Sequence, residues 1–362
     1  MVTTTTTWKF YLNSEDAWGA MLEAIKGASL SIDIEQYIFV DDMIGKKFID
    51  LLKEKAVAGI RIRILCDDFG SFRLTQSDQI KEMQKLGIEI KFFNPILSWR
   101  KTHNREFLFY PRNHRRSLII DGDIGFTGGI CLSDEMRLWR ESHIQVKGGV
   151  VDDMKRAFEV MWFRQYRYLK YLFKKVSPTD TVEEFKYLTN APLPRKRFMY
   201  YELLKAIKRA KKYMYLTTPY FLPNPKLLKA IKSASKRGVH VKLLVPYSCD
   251  SRVVLLGSQT FFTTLLEHNI EVFRYQKMIH SKTIVIDGEW STIGSLNLDN
   301  VSLRYNFEGN LVSVNKEFAL DIEKQFCNDM ETSTKLSFEV WKRRGLFQKC
   351  LELIVWPIRQ FL

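Results

Sequence analysis

NHRRSLIIDGDIGFTGGIC (Asn113 to Cys131) and IHSKTIVIDGEWSTIGSLN (Ile279 to Asn297) are two copies of one pattern. Each reads His, any residue, a base, four mostly apolar residues, Asp and Gly. A pair of small residues then follows, seven and eight positions after the Asp. Alternation predicts that His280 and Lys282 share one face of a strand, with Ile284 and Ile286 continuing into the core, and it pairs His114 with Arg116 likewise. A histidine beside a cation that can only donate suits a phosphate. The imidazole attacks or protonates, while the cation holds the nonbridging oxygens. Gly128 and Gly129, and the Gly294-Ser295 pair, allow close backbone approach and offer amides or a hydroxyl to the same anion. Taken singly, Asp121 and Asp287 before glycine read as turn residues. The recurrence of the whole pattern, in the same order, is what points to function.

Outward from the motifs, the rest of the chain repeats too. SLSIDIEQYIF (Ser29 to Phe39) is strand-like, a helical pattern runs from Ile44 to Ala58, and Gly59 leads into IRIRILCD. A second helix, about Ser77 to Leu86, leads into IEIKFFNP. YMYLTTPYF, LLKAIKSASKRG, VHVKLLVP and LLEHNIEVFRY follow the same order later. Tyr37 matches Tyr220, Gly59 matches Gly238, and Ile88 matches Ile270, each about 180 residues apart. An internal duplication of one α/β unit explains this. The motifs themselves lie closer together because the first half carries an extra basic stretch around Trp99 to Arg112. The expected domains are 1–190, 191–334 and a basic tail, 335–362.

Lys and Arg number 56 against 41 Asp and Glu, a formal charge of +15, which favours anionic partners. A hydrophobic share of 46% argues against disorder. Five scattered cysteines fit neither a zinc ribbon nor a disulfide framework. Neither a signal peptide nor a membrane-spanning run is expected. In the tail, apolar residues at 347, 350, 351, 354, 358 and 361 form a helical stripe, with Gln348, Lys349, Glu352 and Arg359 on the other side. Six cations (Lys335, Lys342, Arg343, Arg344, Lys349, Arg359) face two acids (Glu339, Glu352), and Trp341 and Trp356 suit headgroup depth. An interfacial anchor on anionic lipid and a helix docked on the protein's own core are the two readings. Pro357 is awkward for both.

The second motif matches in full the HKD signature of the phospholipase D superfamily. Beyond it, the chain resembles the bacterial cardiolipin synthase branch in YIFVDDMIGKKF, FFNPILSWR, FTGGI, WRESH, TPYFLPNPKLL and GSLNLDNVSLRYNFEGNL. The resemblance implies two duplicated α/β/α sandwich halves packed with pseudo-twofold symmetry, with the active site at their interface. It implies that His114 attacks phosphorus to give a phosphohistidine and that His280 is the general acid, later the base, with no metal or other cofactor. It also implies that Glu141 and Glu308 orient the imidazoles, a carboxylate on the far ring nitrogen fixing the tautomer. Phosphate contacts are expected from Arg116, Lys282, Gly128, Gly129, Gly294, Ser295 and Asn297, with Asp121 and Asp287 counted among the catalytic set.

The first motif departs from the family: Arg116 stands for lysine and Cys131 for asparagine. Arginine keeps the charge but not the shape, and a thiol is a weak donor. Loss of a preorganised donor costs about 10²–10³ in rate. The first half-site is therefore either retuned or decayed. The activity expected is cardiolipin synthesis from phosphatidylglycerol and a second phospholipid, at an anionic membrane surface, peripheral on the cytoplasmic face of a bacterial inner membrane. Phospholipase D-type hydrolysis, a nuclease and a non-enzymatic binder of anionic lipid remain alternatives. The lipid-synthase-like stretches and the tail speak against nucleic acid, whose binding would fall steeply with salt.

Overall fold

The computed structural model describes residues 5–95, 111–164 and 183–359. The basic stretch from Trp99 and the end of FFNPILSWR lie largely outside them. The chain divides into two compact units, Met1–Leu138 with His143–Leu188, and Trp139–Ser142 with Thr189–Leu362.

The first unit is built on seven strands: β1 (Thr7–Asn13), β2 (Ser31–Gln36), β3 (Arg61–Asp67), β4 (Glu89–Phe93), β5 (Ser117–Ile120), β6 (Ile124–Gly128) and β7 (Arg140–Lys147), which pairs here from His143 onward, its first three residues belonging to the second unit. Their order is β1-β7-β6-β5-β2-β3-β4. β2, β3 and β4 run parallel, joined through helices Met43–Val57 and Gln79–Lys85, while β5, β6 and β7 form an antiparallel meander on β2. The expected helix over 44–58 is therefore present within one residue, and Asp42 caps its start through Gly45. Inside the sheet Arg63 forks onto Asp33 (2.7 and 2.8 Å), reaches Glu159 (2.6 Å) and lies over the Phe158 ring. Burying a cation is tolerable only with such pairing.

The second unit's strands are β8 (Phe185–Asn190), β9 (Tyr213–Thr217), β10 (Phe221–Leu222), β11 (His240–Pro246), β12 (Glu271–Tyr275), β13 (Thr283–Ile286), β14 (Trp290–Gly294), β15 (Leu298–Asp299), β16 (Glu308–Ser313) and β17 (Ser333–Lys335). The main sheet runs β17-β12-β11-β9-β13-β14-β16-β8, and β10 pairs with β15 apart from it. Without the edge strand β17, this is the first sheet's order strand for strand, with β8 standing for β1 and β16 for β7. The duplication legible in the landmarks thus extends to β1 and β8, which no landmark marked.

Each motif histidine stands just before the antiparallel strand that follows the parallel core, β5 or β13. The motif Asp stands just after it. Asp121 (φ 54°) and Asp287 (φ 56°) turn the chain in the left-handed region. Asp121 accepts from the amides of Ser29, Leu30 and Ser31, and Asp287 from those of Lys211, Lys212 and Tyr213, all within 2.7–2.9 Å. These carboxylates tie the hairpin to the start of the neighbouring strand.

Candidate active site

In the first unit the chain before His114 is pinned by buried acids. Asn113 donates its backbone N–H to Asp67 (2.7 Å) and its side-chain amide to Glu35 (2.8 Å), and Arg112 reaches Asp67 at 3.3 Å. Burial raises Asp67 to about 6, against the pull of Arg112. Arg116 is 1% exposed and wraps around His114. Its Nη1 donates to the His114 carbonyl (2.8 Å), Nη2 lies 3.0 Å from His114 Nε2, and Nε donates to Cys131 Sγ at 3.0 Å. A guanidinium only donates, so His114 Nε2 is the acceptor, and the neutral ring carries its proton on Nδ1. The lone pair of Nε2 is engaged by the guanidinium. The two departures from the family pattern, Arg116 and Cys131, touch each other.

In the second unit Lys282 Nζ donates to the His280 carbonyl at 2.5 Å, as Arg116 does to its own histidine. His280 Nδ1 is hydrogen-bonded to Glu141, a fully buried carboxylate. A carboxylate accepts, so Nδ1 carries a proton and the proton-exchanging nitrogen is Nε2. Glu141 lies 27 residues after His114, yet it serves the histidine of the other motif. Trp139–Ser142, from the first half of the chain, belongs to the second unit. That segment is fastened by a bridge between Arg140 and Ile279, by His280 N–H on the Arg140 carbonyl (2.8 Å), and by Ser142 Oγ against Ser281 Oγ (2.7 Å). Arg140 also forks onto Asp329 (2.8 and 2.6 Å).

Glu308, at the start of β16, accepts from the Ser295 hydroxyl, which in turn accepts from the Gly309 amide at 3.0 Å. Ser295 is fully buried, its hydroxyl held by Glu308 and Gly309. Gly294 is required by the sheet: a Cβ there would lie 2.4 Å from the Gly309 carbonyl oxygen and 2.5 Å from Asn310 Cα. Asn297 donates to Asp299, and its buried Oδ1 has no hydrogen-bond partner among the described residues. Burial lifts Asp299 to about 7, with the Ser302 amide pulling down and Glu308 pushing up. In the first unit Gly128 ends β6 at φ 150°, and Gly129 follows it.

Asp121 and Asp287 are not gathered with the histidines. A whole strand separates each from its motif histidine, and their oxygens are spent on backbone amides. Their place in a catalytic set is corrected to a place in the fold. Sequence reading also overlooked two tyrosines that it had used only as landmarks. Tyr37 meets the His114 ring edge-on at 4.8 Å between centroids, and Tyr220 meets His280 at 6.3 Å. Burial first, then Asp67 beside Tyr37 and Asp250 beside Tyr220, raise both phenols. Both therefore stay protonated and act as walls, not bases. Trp139 also lines His280, at 5.2 Å.

Two segments of the chain, residues 21–162 and 203–330, match the family model described as cardiolipin synthase, PLD-like domain. The probable cardiolipin synthase YwiE of Bacillus subtilis strain 168 is 31% identical over 95% of this chain and 70% of its own length. Cardiolipin synthase 2 of Staphylococcus epidermidis strain RP62A is 32% identical over 94% of this chain and 72% of its own. Among solved structures, phosphatidylserine synthase of Haemophilus influenzae superimposes with a TM-score of 0.79 at 14% identity, over 98% of this chain and 95% of that one. At that identity the likeness is one of fold.

Proposed function

The chain belongs to the cardiolipin synthase, phospholipase D-like family, and from that membership we propose that it makes cardiolipin from phosphatidylglycerol and a second phospholipid. It is an enzyme of the phospholipase D superfamily. In the first step His114 Nε2 attacks the phosphorus of phosphatidylglycerol. An N–P bond forms, the P–O bond to glycerol breaks, and His280 Nε2 gives its proton to the departing oxygen. In the second step His280 takes the proton from a hydroxyl of another phosphatidylglycerol. The new P–O bond forms as the N–P bond breaks, and one glycerol is released per cardiolipin. Arg116 and Lys282 neutralise charge on the nonbridging oxygens, with Gly128, Gly129 and Asn297 about the phosphate and Glu141 and Glu308 orienting imidazoles; Ser295, its hydroxyl and amide both spent on Glu308 and Gly309, supports that wall from behind. The substrates come from an anionic membrane surface, on the cytoplasmic face of a bacterial inner membrane.

One observation carries the assignment of roles. The Arg116 guanidinium donates toward His114 Nε2, which must be unprotonated to accept and becomes a nucleophile when the guanidinium turns to the phosphate oxygens, whereas His280 Nδ1 is anchored on a buried carboxylate that leaves Nε2 to exchange a proton. The first is suited to attack and the second to proton transfer. The test is incubation of the protein with phosphatidylglycerol vesicles, reading lipid products by mass spectrometry, with His114→Ala and His280→Ala beside it. Cardiolipin and glycerol that vanish in both variants support the proposal. Phosphatidic acid as the sole product would replace it with hydrolysis, and trapping of phosphorus on His280 in place of His114 would reverse the roles.

A further inference from the structure

We infer that the C-terminal helix Leu346–Val355 is a lipid-facing surface that lays the second unit on an anionic bilayer; this rests on the reading that the substrate is a membrane lipid. The helix is seated on the protein by its polar side. Glu352, 6% exposed, is forked by Arg344 (2.9 and 2.7 Å), and Gln348 donates to Gln259 at 3.2 Å. Just beyond the helix Arg359 donates to Thr260 (2.9 Å) and lies over the Phe261 ring. Val355 is the buried apolar residue on that side. The apolar stripe points the other way: Leu346 and Phe347 are 79% and 78% exposed, Leu353 and Ile354 each 70%. Trp356 and Ile358 extend the patch.

A helix docked on a soluble protein turns its apolar face inward. This one does the reverse, although the sequence offers it the choice. Nor is it a loose tail, because Trp341 before it is buried against Phe262 and donates Nε1–H to Thr263 at 3.2 Å. Four of the ten helix residues are large apolar side chains at least 70% exposed, a concentration that marks an interaction surface. Charge selects the occupant. Lys342 and Arg343 are exposed beside the helix and Lys349 is half-buried on it. Of the nearby acids, Glu352 is neutralised by Arg344 and only Glu339 is exposed. An apolar face with three cations close to it in the chain, on a protein of net charge +15, fits an anionic phospholipid interface better than a second copy of an equally cationic surface. With ten residues the helix lies in the interface, and among the described residues no helix is long and apolar enough to cross a membrane.

The test pairs Phe347→Glu and Ile354→Glu in the full chain, leaving Glu352, Val355 and Trp341 in place, with thermal melts to confirm folding. Sedimentation with vesicles of phosphatidylglycerol and phosphatidylcholine, against phosphatidylcholine alone, measures binding. Turnover is followed on vesicles and on dispersed short-chain phosphatidylglycerol. The double variant is expected to lose binding to anionic vesicles by at least about tenfold, from the apolar area withdrawn. Vesicle turnover should fall with it while short-chain turnover is kept. A folded variant that binds vesicles like the unaltered protein overturns the inference. So does light scattering that shows a dimer reduced to monomer with vesicle binding unchanged. Salt-sensitive binding lost in the variant, in a protein without lipid turnover, would leave this surface standing and sink the proposed reaction instead.

Discussion

Arg116 and Cys131 should behave as one substitution, not two. In the second half-site the ammonium of Lys282 settles on the carbonyl of its own histidine. A lysine at 116 can do the same for His114, but one nitrogen cannot also reach Cys131 Sγ and His114 Nε2, as the guanidinium does at 3.0 Å each. Two groups in a fully buried pocket then lose a donor. A buried group left unmatched costs about 1–3 kcal/mol, and the low end applies where the acceptor is a thiol. Arg116→Lys alone should therefore slow turnover by roughly five- to tenfold. Cys131→Asn alone crowds a larger polar amide against the guanidinium and should cost about as much. Made together, the changes restore the family pair, and coupling of about 1 kcal/mol or more is expected between residues in contact. The double variant should then turn over several times faster than the product of the two single losses allows. The assay is initial rate of glycerol release from phosphatidylglycerol, with melts on all four proteins. Losses that multiply, with coupling below about 0.5 kcal/mol, would refute the idea that the departures compensate.

Glu141→Gln leaves His280 without a carboxylate partner and should lower kcat by roughly 10²–10⁴ with little change in KM. A shift in the pH profile of kcat, absent in a merely destabilised protein, distinguishes this from misfolding. Asp287→Ala strips three backbone amides of their acceptor and should cost about 1–3 kcal/mol in urea unfolding, with turnover per folded molecule preserved; a collapse in kcat would return Asp287 to the catalytic set. Asp299 holds its proton up to about pH 7 when folded, but only to near its ordinary 3.8 when unfolded. The folded state thus binds more protons between those values, so stability from this group is complete below about pH 4 and is lost as pH rises toward 7. Asp299→Asn should flatten that slope in melts from pH 4 to 8, and an unchanged slope would count against the assignment.

The duplication and its strand pattern were legible because period-two alternation and helix-stopping glycines are local properties. Partnership across the chain is not local. The spacing of Glu141 marks it as a carboxylate after the first motif, and only the course of Trp139–Ser142 reveals that it holds His280. The tail shows the same limit. Its stripe was readable as a helix, but both sides were chemically able to dock, and the seat is decided by Arg344 just before the helix together with Gln259 and Thr260, far from it in the chain. Asp121 and Asp287 travel with the histidines in the motif because hairpin and active site are built on the same short strand. Proximity in sequence joined two tasks that the strand keeps apart.

The loan of Trp139–Ser142 bears on how such a duplicated gene can change. A chain severed after Leu188 would not yield two self-sufficient repeats, since the C-terminal fragment would keep His280 and forfeit the carboxylate that steadies it. Selection on Glu141 is therefore exercised through the sister copy. The two repeats are bound together at that position, whereas Arg116, Cys131 and His114 meet one another within the first unit.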